Sequence, residues 1–298
     1  MVMEIVFLGT SSMVPTKERS QSAVFLRYGA EGLLFDCGEG TQRQFKLAGI
    51  SPLSTTKILI SHWHGDHVLG LPGLIQTLSA SEYGKTLEIY GPKGTKERME
   101  HLFRTFVFDK NIDLKIVEVK EGTFIDAKLY TVEALPLEHG IHTLGYRFME
   151  KDKRKISMKK AEQFGLKPGP IIGKLQDGES VVHKGKKINP DDVSSIEKGT
   201  VVTYITDTKL CENCFSLSQG ADILICESTY GSKLEGKGEE YSHMTASQAA
   251  EIARKSGVGK LYLTHFSARY KSVTELEDEA KELFENATCA SDFMKIKL

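Results

Sequence analysis

The chain is 298 residues long, 40% hydrophobic and 27% charged, values that exclude a disordered, collagenous or coiled-coil protein and allow one large domain or two small ones. A net charge of −1 gives no overall attraction to polyanions, and an odd set of five cysteines (Cys37, Cys211, Cys214, Cys226 and Cys289) suits a reducing compartment better than a disulfide scaffold. Met1 to Gly9 carries an acid where a secretory leader is basic, and no later apolar run reaches the roughly 18 residues of a membrane span, so a cytoplasmic protein is expected.

In chain order, β-branched and aliphatic runs bounded by Gly, Pro, Asp and Ser predict strands at 4–8, 23–28, 33–36, 57–61, 87–90, 115–119, 130–137, 201–206, 222–226, 260–264 and 293–298. Helical spacing falls at 69–79, 95–108, 246–256 and 274–284. The mixture predicts a layered α/β architecture. Region 149–199 breaks the pattern, being basic, rich in Gly and Pro, and poor in apolar runs, and it reads as an insertion. Within it, residues 151–187 hold eleven Lys/Arg against four acids, a local charge of +7 in a chain whose remainder is −8. Such a segment is either a solvated face or an arm that binds a polyanion.

The densest chemistry is Ser61-His62-Trp63-His64-Gly65-Asp66-His67, directly after the strand predicted at 57–61. Imidazoles and a carboxylate suit a borderline metal such as zinc. Positions i and i+2 of an extended strand end point the same way, so His62 and His64 can grip one ion, while the turn that follows brings Asp66 and His67 round to a second. The same grammar recurs: the strands near 130–137, 201–206 and 260–264 end at His139, Asp207 and His265. Ligands spread from 62 to 265 place one catalytic domain over residues 1–298.

These residues resemble the signature of the metallo-β-lactamase superfamily and, within it, the ribonuclease Z family of tRNA 3′-processing endonucleases. Phe35-Asp-Cys-Gly-Glu-Gly-Thr-Gln42 is similar to that family's early motif, and Leu263-Thr-His-Phe-Ser-Ala-Arg-Tyr270 is similar beyond its ligand. The resemblance implies a four-layer αββα sandwich that works as a homodimer with two Zn2+ per subunit. One zinc would sit on His62, His64 and His139, the other on Asp66, His67 and His265, with Asp207 bridging and Asp36 as the carboxylate behind the ligands. It further implies removal of the 3′ trailer from precursor tRNA, leaving a 3′-hydroxyl on the tRNA and a 5′-phosphate on the trailer. Arg269 would meet phosphate, and 149–199 would be the tRNA-binding arm, with Lys151, Lys153, Arg154, Lys155, Lys159 and Lys160 among its contacts.

The chain departs from the family pattern in three places. Cys226-Glu-Ser-Thr229 replaces His-Glu-Ala-Thr, His243-Met-Thr245 replaces His-Ser-Thr, and Pro15-Thr-Lys-Glu-Arg-Ser20 ends in Ser instead of Asn. Glu227 and His243 survive. His243 is implied as the general acid for the departing ribose oxygen, with Glu227 orienting its ring and Asp66 holding or deprotonating the nucleophile. On its own, His243 reads equally as a surface histidine ahead of a helix capped by Thr245. The enzymatic rival is another hydrolase of the same scaffold, an arylsulfatase, thioesterase or small phosphodiesterase, none of which needs a basic arm. The non-enzymatic rival is an RNA-binding or metal-storage protein, which has no use for His243. Cys211 and Cys214 form a lone Cys-x-x-Cys without a second pair and read as structural, and His101, His142 and His183 lack ligand-like surroundings.

Overall fold

Six β-rich runs within the first 118 residues and one near residue 296 pair into a seven-stranded sheet in the computed structural model, which describes residues 2–107 and 111–298. Its order is Lys295–Lys297 (β18), Met3–Gly9 (β1), Ala23–Tyr28 (β2), Glu31–Phe35 (β3), Lys57–Leu59 (β4), Thr86–Gly91 (β5) and Asp113–Glu118 (β6). From β3 to β6 the pairing is parallel, so these strands share one C-terminal edge. The second sheet, also of seven strands, runs Ala287–Cys289 (β17), Lys260–Thr264 (β16), Ile223–Glu227 (β15), Val201–Ile205 (β14), His142–Glu150 (β9), Tyr130–Glu138 (β8) and Gly122–Asp126 (β7). Here β14 to β17 are parallel. Ligand sites at C-terminal strand ends are what parallel sheets offer.

The two sheets meet through aromatic rings, with Phe7 on Tyr262 at 5.8 Å, Phe35 on Tyr204 at 5.2 Å and Tyr28 on Phe148 at 5.6 Å between centroids. Helices close both outer faces. Thr41–Leu47 (α1), Leu71–Ala80 (α3) and Thr95–Thr105 (α4) bury Phe45, Leu74, Leu78 and Met99 in one cluster with Ile58, Ile60 and Ile89. On the other side, Glu212–Ser218 (α8), Ala246–Lys255 (α10) and Thr274–Leu283 (α11) bury Leu217, Ala249, Ile252 and Leu276 with Leu224, Leu261 and Leu263. At about 1.5–3 kcal/mol for each large aliphatic side chain fully buried, these faces account for why the helices dock. The αββα architecture expected from the sequence is therefore found.

Several boundaries moved for local reasons. The helix expected at 69–79 is found as α3, starting two residues later, and a separate short helix, Gly65–Val68 (α2), precedes it; Pro72 in the first turn of α3 cannot donate to a continuing helix, which keeps the two apart. Gly70 stands at the break, and a Cβ there would lie 2.0 Å from the Gly38 carbonyl oxygen. The helix expected at 95–108 ends at Thr105, where Phe106 turns extended, and the expected last residue, Phe108, lies outside the described residues. Strands β7, β9 and β17 were not expected.

Ala127–Thr131 and Met149–Thr200 form a second compact unit. In it Lys153–Ile156 (β10) pairs with Ser194–Glu197 (β13), and Val181–His183 (β11) with Lys186–Ile188 (β12). Three short helices, Met158–Gln163 (α5), Pro170–Gln176 (α6) and Pro190–Val193 (α7), help bury a core of Ala161, Leu166, Leu175, Val181, Ile188 and Val193. No helix among the described residues is long and apolar enough to cross a membrane.

Candidate active site

Parallel strands deliver the polar residues. Asp36 follows β3, His62 lies just beyond β4, Asp207 beyond β14, Glu227 ends β15 and His265 follows β16. Three of them turn the chain in the left-handed region without being glycine, with φ of 56° at Asp36, 38° at Asp207 and 61° at His265. Such backbone costs of order 1–3 kcal/mol per residue and persists only where the surroundings over-determine it. It swings each side chain off the end of its strand, Asp207 and His265 into a common pocket and Asp36 into the buried layer behind it.

Within that pocket the predicted ligands separate into two groups that share one carboxylate. His62, His64, His139 and Asp207 offer ligand atoms within 4.8 Å of one another, and so do Asp66, His67, Asp207 and His265. Asp207 faces the first group with Oδ2, 3.6 Å from His62 Nε2 and 3.5 Å from His139 Nε2. It faces the second with Oδ1, 3.3 Å from His67 Nε2 and 3.1 Å from His265 Nε2. Asp66 Oδ2 lies 3.3 Å from His67 Nε2 and 3.4 Å from His265 Nε2. A tetrahedron with bonds of about 2.0–2.1 Å has edges of about 3.3 Å, so both donor sets fit a zinc-sized cation.

The nitrogen facing away from the pocket is pinned in four of the five rings. His67 Nδ1 donates to Asp36 Oδ2 at 2.8 Å and His139 Nδ1 to the Ser242 carbonyl oxygen at 2.8 Å. His265 Nδ1 meets Thr229 Oγ at 2.9 Å, and His62 Nδ1 meets Ser61 Oγ at 3.0 Å. Asp36 also accepts from the Ser61 amide and hydroxyl and from the Tyr204 hydroxyl, so a fully buried carboxylate has four donors. Partners of this kind fix tautomer and ring direction in metal sites.

Electrostatics point the same way. Burial opposes the protonated form of His67, but Asp207 and Asp36 outweigh it and hold the ring well above its ordinary value. Its Nε2, buried, makes no hydrogen bond. The carboxylates thus favour a cation at that atom, and a metal ion there would take the place of the proton. Burial and then the neighbouring His67 keep His62 well below the usual imidazole range, the neutral form a metal needs. Burial opposes the charged form of Asp66, yet hydrogen bonds from His265 and His67 keep it low.

Beside the second group stand His243 and Glu227. His243 Nδ1 donates to Glu227 Oε1 at 3.0 Å, and Glu227, fully buried, also accepts the Thr208 amide at 2.7 Å and the Thr229 hydroxyl at 2.6 Å. Burial alone would lower the basicity of His243, but Glu227 outweighs it and pushes the ring up to about 9. Thr245 meanwhile caps α10 through a capping box with Gln248, so the two roles open for this segment in the sequence fall to different residues. His243 lines a cavity of about 400 Å³ together with His64, Asp66, His139 and Asp207, under an outer rim of Met13, Leu69 and Tyr241. Arg269 is exposed, with its guanidinium 5.4 Å from the Tyr230 ring centroid.

Of the arm residues named from the sequence, three are engaged with carboxylates: Lys153 with Glu150, Arg154 with Asp191 at 2.5 Å and Lys155 with Glu197 at 2.6 Å. Lys151, Lys159 and Lys160 are exposed, as are Lys184, Lys186 and Lys187 further along. His101 and His142 are exposed, and neither they nor His183 join a metal-type group among the described residues. The sequence reading missed Ser61, Tyr204, Thr208 and Thr229, whose hydroxyl and amide groups carry no motif of their own, and the cavity rim.

Such a pocket on such a sandwich defines the metallo-β-lactamase class of hydrolase folds, and residues 183–266 match the family described as Beta-lactamase superfamily domain, while residues 3–141 match Anti-Pycsar protein Apyc1. Ribonuclease Z of Methanothermobacter thermautotrophicus is 43% identical over 298 residues, covering 100% of this chain and 97% of that protein, and ribonuclease Z of Archaeoglobus fulgidus is 40% identical, covering 100% and 98%. The crystal structure of human tRNase Z, short form, superimposes with a TM-score of 0.72 at 26% identity over 98% of each chain. The chain belongs to the ribonuclease Z family.

Proposed function

We propose that the protein is a zinc-dependent endoribonuclease that removes the 3′ trailer from tRNA precursors, leaving a 3′-hydroxyl on the tRNA and a 5′-phosphate on the trailer. The observation that carries this reading is Asp207 shared between two donor sets, with the His243–Glu227 pair beside them. His62, His64, His139 and Asp207 would hold one zinc, and Asp66, His67, His265 and Asp207 the other. Two zinc ions supply the charge that activates water and neutralises phosphoryl oxygens.

The chain's own groups do the rest. Asp66 orients the nucleophile and accepts its proton. His243 is cationic at neutral pH, its Nδ1 is tied to Glu227, and its Nε2 is left to protonate the departing 3′-oxygen. Arg269, spread over Tyr230, engages a flanking phosphate. The whole chain acts as one catalytic domain, and the basic segment 149–199 is its tRNA-binding arm, in which the exposed lysines meet the polyanion. A homodimeric state and a cytoplasmic location belong to the same proposal.

Incubation with a 3′-extended tRNA precursor, followed by mapping of both ends, tests the reading. The expected product is a tRNA with a free 3′-hydroxyl and a trailer bearing a 5′-phosphate. Cleavage of aryl sulfates or thioesters with precursor tRNA left intact would move the protein to another branch of the fold.

A further inference from the structure

Four residues beyond Asp207, at the start of α8, the sulfur atoms of Cys211 and Cys214 lie 3.5 Å apart. The cause is local geometry. Cys211 is the residue just ahead of the helix and Cys214 is its third residue, the spacing at which a capping side chain meets the first turn. The two thiols differ in access. Cys211 is partly exposed, whereas Cys214, Cys37, Cys226 and Cys289 are buried. Their protonation differs too: hydrogen bonding from Cys214 holds Cys211 down at about 6, so it is largely thiolate at neutral pH, while Cys214 is pushed far up. A partly exposed thiolate backed by a buried thiol in contact is the arrangement that selects one cysteine for oxidation and supplies its resolving partner.

We propose that Cys211 and Cys214 are an oxidation site, closing reversibly to an intrachain disulfide that slows catalysis at the neighbouring metal pocket. The oxidant is a low-molecular-weight disulfide. The Cys211 thiolate attacks one of its sulfurs, forming a mixed disulfide and expelling the first small thiolate. Cys214 then attacks Cys211, closing the protein disulfide, expelling the second small thiolate and giving up its proton. Two electrons pass from the protein to the small disulfide, which leaves as two thiols.

The route to the pocket is short. A disulfide brings the sulfurs from 3.5 Å to about 2.05 Å, a closure of roughly 1.5 Å. Cys211 Sγ is in contact with Thr208 Oγ at 4.0 Å, and the Thr208 amide donates to Glu227 Oε1 at 2.7 Å. Thr208 directly follows Asp207, the carboxylate shared by both donor sets. Closure therefore pulls on the short loop that fixes Asp207 and Glu227 together.

The effect on rate rests on the hydrolase reading given above, so the test separates the two. The metal-loaded protein is incubated with oxidised glutathione, then assayed for free thiols, intact mass, disulfide-linked peptides and hydrolysis of bis-(p-nitrophenyl) phosphate. Expected are a fall from five titratable thiols to three, a mass lower by two hydrogens, a peptide linking Cys211 to Cys214, and a rate lower by about tenfold or more that dithiothreitol restores. Cys214→Ser keeps its untreated rate, forms no internal disulfide and escapes the slowing by closure. Persistence of five thiols, or a link between other cysteines, overturns the site. A linked pair with an unchanged rate overturns its effect on catalysis. A protein inactive on every phosphodiester sinks the hydrolase reading instead, and the thiol count still decides the oxidation site.

Discussion

The pocket at the strand ends and the inserted basic unit are built to opposite rules. In the pocket the rings of His62, His67, His139 and His265 are fixed twice, by the element or loop that carries them and by a hydrogen bond on the far side, and three non-glycine residues, Asp36, Asp207 and His265, are held in left-handed backbone. In the inserted unit the core is six small and aliphatic side chains, and its surface carries a set of exposed lysines, which on the proposed reading meet the polyanion. The difference teaches what each task demands. Metal chemistry fails when a ligand drifts by a fraction of an ångström, so geometry is over-determined. Attraction of a polyanion depends on the number and density of charges and tolerates mobile side chains.

If that contrast holds, substitutions in the pocket cost orders of magnitude and those in the insert cost increments. The largest loss is expected from Asp207→Ala, which removes the one carboxylate common to both donor sets: metal content and all phosphodiesterase activity should fall together, whereas His183→Ala should change neither. Elemental analysis and the bis-(p-nitrophenyl) phosphate assay read both. Metal content near two per chain in Asp207→Ala would break the bridging assignment.

Next comes His243→Ala. Expulsion of a ribose alkoxide needs a proton donor worth about 10²–10⁴ in rate, while a nitrophenolate leaves without one. Activity on precursor tRNA should therefore fall by about that factor with both metals retained and the chromogenic substrate little affected, and Glu227→Gln should show a milder form. Equal losses on both substrates would remove His243 from the acid role. Smaller again is Asp36→Asn, which keeps the size of the side chain but replaces an acceptor of four hydrogen bonds by a group that also donates. Metal affinity, measured by chelator competition, should weaken by about 10–100-fold, and an unchanged affinity would show that the pinning of His67 is dispensable.

The two regions also differed in how much the sequence disclosed. Every residue of the two donor groups was legible, because metal-type chemistry needs rare residue types, and His62, His139, Asp207 and His265 interrupt apolar runs just past strands. What escaped was the scaffolding around them. Ser61, Thr208 and Thr229 matter through hydroxyl and amide groups that any loop contains, and their partners lie far away in the chain, Thr208 bonding Glu227 and Tyr204 bonding Asp36. Strand β9 escaped because Gly145, Arg147 and Glu150 dilute its β-branched character, and only pairing between β8 and β14 makes it a strand. In the insert the sign of the charge was plain but its disposition was not. Lys153, Arg154 and Lys155, which look like the strongest cluster, turn out to have acidic neighbours brought in from Glu150, Asp191 and Glu197.

That last finding yields the smallest and most discriminating prediction. A lysine that meets a phosphate displaces a condensed counterion, and each such contact steepens the dependence of log affinity on log salt by about 0.7–0.9. Lys186 and Lys187 are exposed on β12, so each is available to make such a contact without first giving up a carboxylate. Lys155 sits 2.6 Å from Glu197, and to engage a phosphate it must leave that carboxylate, which would then face the polyanion unneutralised. The double substitution Lys186→Ala, Lys187→Ala should therefore flatten the salt slope of precursor tRNA binding by about 1–2, whereas Lys155→Ala should flatten it by less than a single lysine's share. Turnover of bis-(p-nitrophenyl) phosphate should stay at the wild-type value in both, since neither change touches the pocket. A slope unaltered by the double substitution would reduce this hairpin to a solvated face. A full share lost with Lys155→Ala would mean that the Glu197 pair opens on binding, and that the crowded cluster near 153–155 grips the tRNA after all.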